Sequence, residues 1–173
     1  DRFSFGVNLS NMGPAISYVD ADQADPLPTQ LRLGFEYDVV KTEFNSLALT
    51  IDFAKLLVNR TAAVVDSNGV ILVPGEVDPF YQALFTSWTG GLNGILKSFQ
   101  TSFGAEYWYG KPRLIALRGG YFYEDPSNGN RNFFTLGAGL RYSAYGFDFS
   151  YISTIEENHP LANTLRFGLL VTF

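Results

Sequence analysis

The sequence predicts an all-β protein, an antiparallel transmembrane β-barrel of the bacterial outer membrane with about eight strands in this chain. Three observations support this fold class. Eight segments alternate apolar and polar residues, the charges in those segments lie on one face, and the connections between them alternate between short and long. Because successive side chains of a strand point to opposite faces, one face can contact lipid and the other a polar lumen.

The composition agrees with this class and argues against others. The 173 residues include 16 Phe, 10 Tyr and 17 Gly, but no run approaches the roughly 18 apolar residues of a membrane-spanning helix. The net charge of −5 and the lack of a basic stripe argue against nucleic-acid binding. Since the chain has no cysteine, disulfides and thiol chemistry are excluded.

The last segment, 164–173, is the clearest predicted strand. Its odd-numbered residues are all apolar: Leu165, Phe167, Leu169, Val171 and Phe173. Its spacing also matches the assembly signal of outer-membrane barrels, a polar residue, a glycine, an apolar residue and a terminal aromatic residue. The positions that match are Arg166, Gly168, Val171 and Phe173. Many soluble sheets also end on an alternating strand, so this strand alone leaves both classes open.

Seven earlier segments show the same alternation. Their apolar faces are Phe3, Phe5, Val7 and Leu9; Leu31, Leu33, Phe35, Tyr37 and Val39; Leu47, Leu49, Ile51 and Phe53; Phe99, Phe103, Tyr107 and Tyr109; Ile115, Leu117, Tyr121 and Tyr123; Phe134, Leu136, Ala138 and Leu140; and Phe147, Phe149 and Tyr151. The charges well inside the strands lie on the opposite faces. A soluble sandwich fits that division too, but tyrosines near strand ends are typical of the aromatic girdles of membrane barrels.

The connection lengths favour the barrel. Outer-membrane barrels have short periplasmic turns, long outer loops and a periplasmic C-terminus. Tracing back from Phe173 places 41–44, 110–112 and 144–146 inside, and 11–29, 54–98, 124–132 and 153–163 outside. Every connection predicted to be inside is short and every one predicted to be outside is long. A soluble sandwich would rarely sort its loops in this way.

Several runs together make the sequence similar to a known family. They are 104–110 (GAEYWYG), 120–124 (GYFYE), 130–142 (NRNFFTLGAGLRY), 146–151 (GFDFSY), 159–167 (HPLANTLRF), 27–37 (LPTQLRLGFEY) and 53–58 (FAKLLV). The chain resembles the PorV family, outer-membrane proteins of the Bacteroidota type IX secretion system within the FadL-like barrel superfamily. The joint pattern is specific, although no single run is.

The resemblance implies a barrel of about fourteen strands, of which this chain supplies the C-terminal part, without the N-terminal strands and signal peptide. It implies a non-enzymatic shuttle without a cofactor. Such a shuttle receives the C-terminal signal domains of secreted cargo at the SprA/Sov translocon and passes them to the PorU attachment complex, surrounded by outer-membrane lipid. Two other functions stay open: a FadL-like transporter of hydrophobic small molecules, and a small structural barrel of eight strands, complete as given.

The outer segment 54–98 is the predicted partner-binding region of this single-domain chain. Asp78 and Pro79 are typical of the N-cap and first turn of a helix. The predicted partner-binding side chains follow them: Phe80, Tyr81, Leu84, Phe85 and Trp88. They can cap the lumen, contact a protein or enter the membrane interface. Apolar runs on either side of 66–69 predict an outer β-hairpin, and glycines at 75, 90 and 91 would let the helix move.

The remaining polar motifs predict no catalytic or metal site. Asp20, Asp22 and Asp25 lack the glycine and terminal glutamate of a calcium loop, and His159 is the only histidine. Asn59 begins a glycosylation sequon, which is a weak match of three residues. The inward acids Glu36, Asp38 and Glu106 are expected to pair with the inward arginines Arg32, Arg118 and Arg141.

Seven glycines lie on the inward, polar parity of the predicted strands: Gly6, Gly34, Gly104, Gly120, Gly137, Gly139 and Gly168. They would leave the core of an eight-stranded barrel poorly filled. They are consistent with a wider lumen that holds a plug, a ligand or closely approaching backbone. Equally, they can serve only to permit strand curvature and bulges.

Overall fold

The structure is a computed structural model that describes residues 1–17, 24–61, 64–67, 71–73, 75–155 and 162–172. Its main feature is an eight-stranded antiparallel sheet with the order β1-β2-β3-β8-β9-β10-β11-β12. The strands of this sheet are β1 (Phe3–Ser10), β2 (Gln30–Lys41), β3 (Asn45–Leu56), β8 (Phe99–Tyr109), β9 (Ile115–Glu124), β10 (Asn132–Tyr142), β11 (Tyr145–Thr154) and β12 (Thr164–Val171). The predicted all-β antiparallel fold class is confirmed.

Strand lengths agree with a membrane-crossing sheet. The six strands from β2 to β11 in this sheet are 10 to 12 residues long. A tilted strand needs about 9–11 residues to cross the hydrocarbon core of a bilayer. Along β10, aromatic residues lie near both ends, at Phe134 and Tyr142, with Leu136 and Leu140 between them. Aromatic ends around an aliphatic middle are typical of a membrane strand.

The predicted face assignment is also confirmed. Exposed apolar side chains of the predicted apolar parity occur on all eight strands: Phe3, Phe5, Val7, Leu9, Tyr37, Val39, Leu49, Phe103, Tyr109, Ile115, Leu117, Tyr123, Phe134, Leu136, Leu140, Phe147, Phe149, Leu165, Phe167, Leu169 and Val171. An apolar surface this extensive is far larger than monomeric soluble proteins leave in water. It requires a cover of lipid or of another chain.

The registers fix the opposite face. Gly139 pairs with Asp148 across β10 and β11, and Asp148 pairs in turn with Gly168 of β12. A Cβ atom on Gly139 would lie 2.7 Å from Oδ1 of Asp148, and one on Gly104 would lie 2.5 Å from Oγ1 of Thr50. These glycines therefore leave room for polar side chains of neighbouring strands, which is the close-approach role of strand glycine.

The lengths of the connections follow the prediction. The strands are joined by short turns at 42–44, 110–114 and 143–144, and by longer connections at 11–29, 57–98, 125–131 and 155–163. The last short turn differs slightly from the expected 144–146, because Tyr145 already pairs with Tyr142 and Ser143 adopts a φ of 52°. Which ends of the strands lie in the periplasm stays a prediction.

Small elements occupy the long connection after β3. They are β4 (Arg60–Thr61), β5 (Val64–Val65), β6 (Ile71–Val73), β7 (Glu76–Val77), α1 (Phe80–Thr86) and α2 (Gly91–Lys97). β5 pairs with β6, which confirms the predicted hairpin, although residues 68–70 of its turn lie outside the described part. β4 pairs with β7 in the same connection.

The chain divides into two compact units. The first contains residues 1–6, 33–53 and 100–173, and the second contains residues 7–32 and 54–99. The first unit holds most of the part of the sheet that runs from β8 through β9, β10 and β11 to β12. The second unit holds α1, α2 and the short strands. In the part of the chain described, neither helix has the length and apolar character needed to cross a membrane.

Candidate partner-binding site

Helix α1 follows a proline but is not capped in the predicted way. Pro79, with a φ of −53°, occupies the cap position, and no side chain caps the helix. The expected N-cap residue, Asp78, instead accepts hydrogen bonds on Oδ2 from Asn59 Nδ2 at 2.9 Å and from Thr86 Oγ1 at 2.5 Å. The expected capping role of Asp78 is therefore wrong. Its carboxylate ties the last residue of α1 to the segment before β4.

These hydrogen bonds stabilise the charged form of Asp78. The Thr86 hydroxyl and then the Asn59 amide hold the pKa of this carboxyl below its ordinary value of 3.8. Asp78 is consequently an anion at neutral pH. The backbone adds a further link, because the amide of Asp78 donates to the carbonyl of Asn59 at 3.1 Å.

Lys55 joins the residues that follow both helices. It is 3% exposed, and its Nζ donates to Oγ of Ser98, the residue after α2, at 2.6 Å. The same ammonium lies 5.2 Å from the ring centroid of Trp88. The Trp88 ring also lies 6.2 Å from that of Phe99, and its indole N–H donates to the carbonyl of Leu84. Cation–π contacts gain strength when the cation is desolvated, so Lys55 anchors both helix ends.

The structure separates the five predicted binding side chains into different environments. Phe80 and Tyr81 line a cavity and contact each other edge to face at 5.6 Å. Leu84 is half-buried, and Trp88 packs against Lys55 and Phe99. Only Phe85 projects fully, with 80% of its surface exposed. Their role in partner binding stays a prediction.

Helix α2 adds two residues that the sequence analysis did not identify. Leu92 is 74% exposed and Leu96 is 61% exposed. Their spacing of four residues places them on one face of the helix, and this period was the available signal. We refer to Tyr81, Phe85, Leu92 and Leu96 as the apolar helix residues.

The second unit also contains a cavity of about 390 Å³ beside α1. Its walls are apolar and include Pro14, Leu27, Leu57, Val77, Phe80 and Ala83. The side chains at its lining that carry a polar group are those of Thr29, Asp78 and Tyr81. Thr29 is buried and its hydroxyl donates to the carbonyl of Asn11 at 2.9 Å, so it is already hydrogen-bonded.

In the first unit, the polar face of the sheet carries a charged network around Trp108. Arg118 donates to Glu106 at 2.6 Å and to Asp148 at 2.8 Å, and Arg141 donates to Asp148 at 2.7 Å. The indole N–H of Trp108 donates to Glu106 at 2.6 Å. Three guanidinium groups lie within 5.6 Å of the Trp108 ring, those of Arg113, Arg118 and Arg141. The expected pairing of Glu106 with an inward arginine is confirmed.

Other predicted pairings and motifs fare differently. Asp38 accepts a hydrogen bond from Lys41 at 2.6 Å, so its expected pairing with an arginine is wrong. Both residues lie at the end of β2, where the lysine can reach back to the carboxylate. Asp25 pairs with Arg60 at 3.7 Å. Asp20, Asp22 and His159 lie outside the described residues. Within the described ranges, no three Asp, Glu or His side chains gather as a metal site.

The residues of the predicted assembly signal lie on β12. Arg166 pairs with Ser150, Gly168 with Asp148 and Val171 with Tyr145 of β11. Phe173 lies outside the described residues. Their role as an assembly signal stays a prediction.

Comparison with known proteins bears on the region that contains β1 to β4. Residues 1–63 match the family model described as Type IX secretion system protein PorV. The resemblance to PorV is confirmed over these residues. Two of the runs that carried the resemblance, 27–37 and 53–58, lie within the match, whereas the runs between 104 and 167 lie beyond it. No match was found among curated proteins.

Over residues 1–63, the chain is therefore similar to a type IX secretion system protein. Location in the outer membrane agrees with this similarity. It also agrees with the structure, because the structure is rich in strands and one face of its sheet is apolar and exposed. An extracellular position of the long connections stays a prediction.

Proposed function

We propose that the protein is a non-enzymatic outer-membrane shuttle of the type IX secretion system. It binds the C-terminal signal domain of secreted cargo at the SprA/Sov translocon and passes the cargo to the PorU attachment complex. The sheet contacts lipid through its apolar face, and the segment 54–98 contacts the protein partners.

The observation that carries this proposal is the set of apolar helix residues. Apolar side chains as exposed as Phe85 and Leu92, on an element held in place by Lys55 and Asp78, are typical of a surface that is covered in a complex. A loop that stays in contact with water would lose no stability if these positions carried polar side chains. The match to PorV supplies the system in which the partner is sought.

Substitution of the exposed helix residues tests the proposal. In a strain that expresses a tagged protein, Phe85→Ser and Leu92→Ser together should lower the recovery of cargo and translocon with the tagged protein about tenfold, as expected for loss of two interface anchors. Assembly in the membrane, measured by heat-modifiable migration on a gel, should not change, because these side chains leave the sheet untouched.

Leu72 provides the matched control. It belongs to the β5–β6 hairpin of the same segment and is 63% exposed, yet it is not part of α1 or α2. Leu72→Ser should leave both partners bound. Unchanged recovery of cargo and translocon with the double helix variant would contradict the proposal.

A second candidate function is that of a FadL-like transporter of hydrophobic small molecules. The size of the cavity beside α1, about 390 Å³, favours it, because small-molecule pockets measure roughly 300–1,000 Å³; the Asp78 carboxylate in the lining opposes it for a wholly apolar or acidic ligand. Uptake of a radiolabelled long-chain fatty acid that depends on this protein would support this function. Normal uptake in a deletion strain would exclude it.

A further inference from the structure

The cavity beside α1 combines apolar walls with one acidic group. Phe80, Leu57 and Val77 contribute to the walls, and Asp78 is the charged residue among those that line the cavity. The volume of about 390 Å³ is sufficient for a large side chain together with part of its backbone. An occupant must therefore satisfy an apolar surface and a carboxylate at once.

Asp78 retains an acceptor for such an occupant. Both of its side-chain hydrogen bonds, from Asn59 and from Thr86, end on Oδ2. In the described part of the chain, Oδ1 has no hydrogen-bond donor and the carboxylate has no basic partner. A carboxylate can accept about four hydrogen bonds. The two hydrogen bonds that position Asp78 therefore leave part of its accepting capacity unused.

We propose that this cavity receives the side chain of a lysine or arginine from an extended segment of a partner polypeptide. The methylene stem of such a side chain would pack against the apolar walls, and its cationic head would pair with Asp78. The inference rests on the proposed function, because it names the chemistry of a polypeptide that the outer segment binds.

Other ligand chemistries fit less well. A wholly apolar ligand would remove water from the Asp78 carboxylate without replacing it, and burial of an uncompensated charge is costly. An acidic ligand would be repelled by the same carboxylate. A small inorganic cation would leave the apolar walls unfilled. A long side chain with a positive head matches both parts of the cavity.

Binding of defined peptides to the full-length protein in detergent micelles tests this inference. The probe is a fluorescein-labelled, blocked Gly-Leu-Lys-Leu-Gly peptide, and its matched partner carries norleucine, which keeps the four-carbon stem and lacks the ammonium. Fluorescence anisotropy should show that the lysine peptide binds about tenfold more tightly, as expected for one charge-assisted hydrogen bond.

Three variants locate the interaction. Asp78→Asn should bring the lysine peptide to the affinity of the norleucine peptide. Asp25→Asn, which changes a carboxylate of the same unit outside the cavity lining, should preserve the tenfold preference. Ala83→Leu should weaken both peptides, because Ala83 is buried in the cavity wall and leucine is also a good helix former.

Equal affinity of the two peptides for the unsubstituted protein would overturn the inference. So would absence of binding by both peptides, or an unchanged lysine preference in Asp78→Asn. The proposed function is judged separately by recovery of cargo and translocon with the Phe85 and Leu92 variant. If that variant loses its partners while the peptides show no preference, the shuttle function stands and the basic occupant is rejected.

Discussion

The pairing of Arg131 with Glu124 allows a stability prediction with a definite size. The Glu124 side chain is 4% exposed and accepts hydrogen bonds from Arg131 Nε at 2.6 Å, Arg131 Nη2 at 2.8 Å and Gln100 Nε2 at 2.8 Å. The guanidinium of Arg131 also lies 5.6 Å from the ring centroid of Phe122. Arg131→Met keeps an apolar stem over Phe122 and removes only the cation.

Removal of one partner from a buried pair costs about 3–5 kcal/mol, because the other charge remains buried. Arg131 itself is 46% exposed, so water can reach part of the space that it leaves. We therefore expect Arg131→Met to lower the free energy of unfolding by about 2 kcal/mol. Urea unfolding in micelles, followed by the fluorescence of the two tryptophans, measures the difference.

Two further variants separate this explanation from a general loss of packing. Glu124→Gln combined with Arg131→Met should recover at least half of the lost stability, because a neutral amide needs no cation. Lys111→Met removes an exposed pair with Glu43, whose side chains are 62% and 59% exposed, and should cost less than about 0.5 kcal/mol. A loss as large in the double variant as in Arg131→Met would refute the reasoning.

Three other predictions concern the charged groups. Arg118→Met removes the bonds to Glu106 and Asp148 and should lower unfolding free energy by about 2 kcal/mol, whereas Arg166→Met, on the exposed part of the same face, should change it little. Because Asp78 has a folded pKa below 3.8, the hydrogen bonds that its carboxylate accepts from Asn59 and Thr86 should stabilise α1 above that pH. This stabilisation should be lost as the pH falls through the lower folded pKa. Hydrogen exchange of α1 near pH 7 and below pH 3 checks this. If Asp78→Asn shows the same pH dependence as the unsubstituted protein, the Asp78 carboxylate does not cause that dependence. Lys55→Met should increase quenching of Trp88 by acrylamide, whereas Lys41→Met should leave it unchanged. Equal quenching in both variants would argue against the role of Lys55 in holding Trp88.

The strands were predictable because their signal is local. Alternation identified all eight strands of the sheet and assigned their faces, since each residue's direction follows from that of its neighbour. The ends were less accurate. β3 continues to Leu56, beyond the predicted Phe53, and thereby brings Lys55 into a buried position that a pattern of exposed charges does not suggest.

The outer segment was predictable only in part. Pro79 and the aromatic residues after it indicated α1, but α2 was missed because a helix of seven residues that starts at two glycines carries a weak periodic signal. The role of Asp78 depends on Asn59, 19 residues earlier. A rule that considers adjacent residues assigns such an aspartate to the helix cap, and only the fold brings the true donor to it.

The sequence by itself determined the antiparallel sheet, the separation of apolar and charged faces, and the family that residues 1–63 match. These properties repeat every two residues or depend on runs of adjacent residues. The tertiary structure decided which charges pair, which glycines leave room for side chains, and that Asp78 lines a cavity beside α1. Those outcomes depend on residues far apart in the chain, whose meeting is set by strand register and by the path of the long connection after β3.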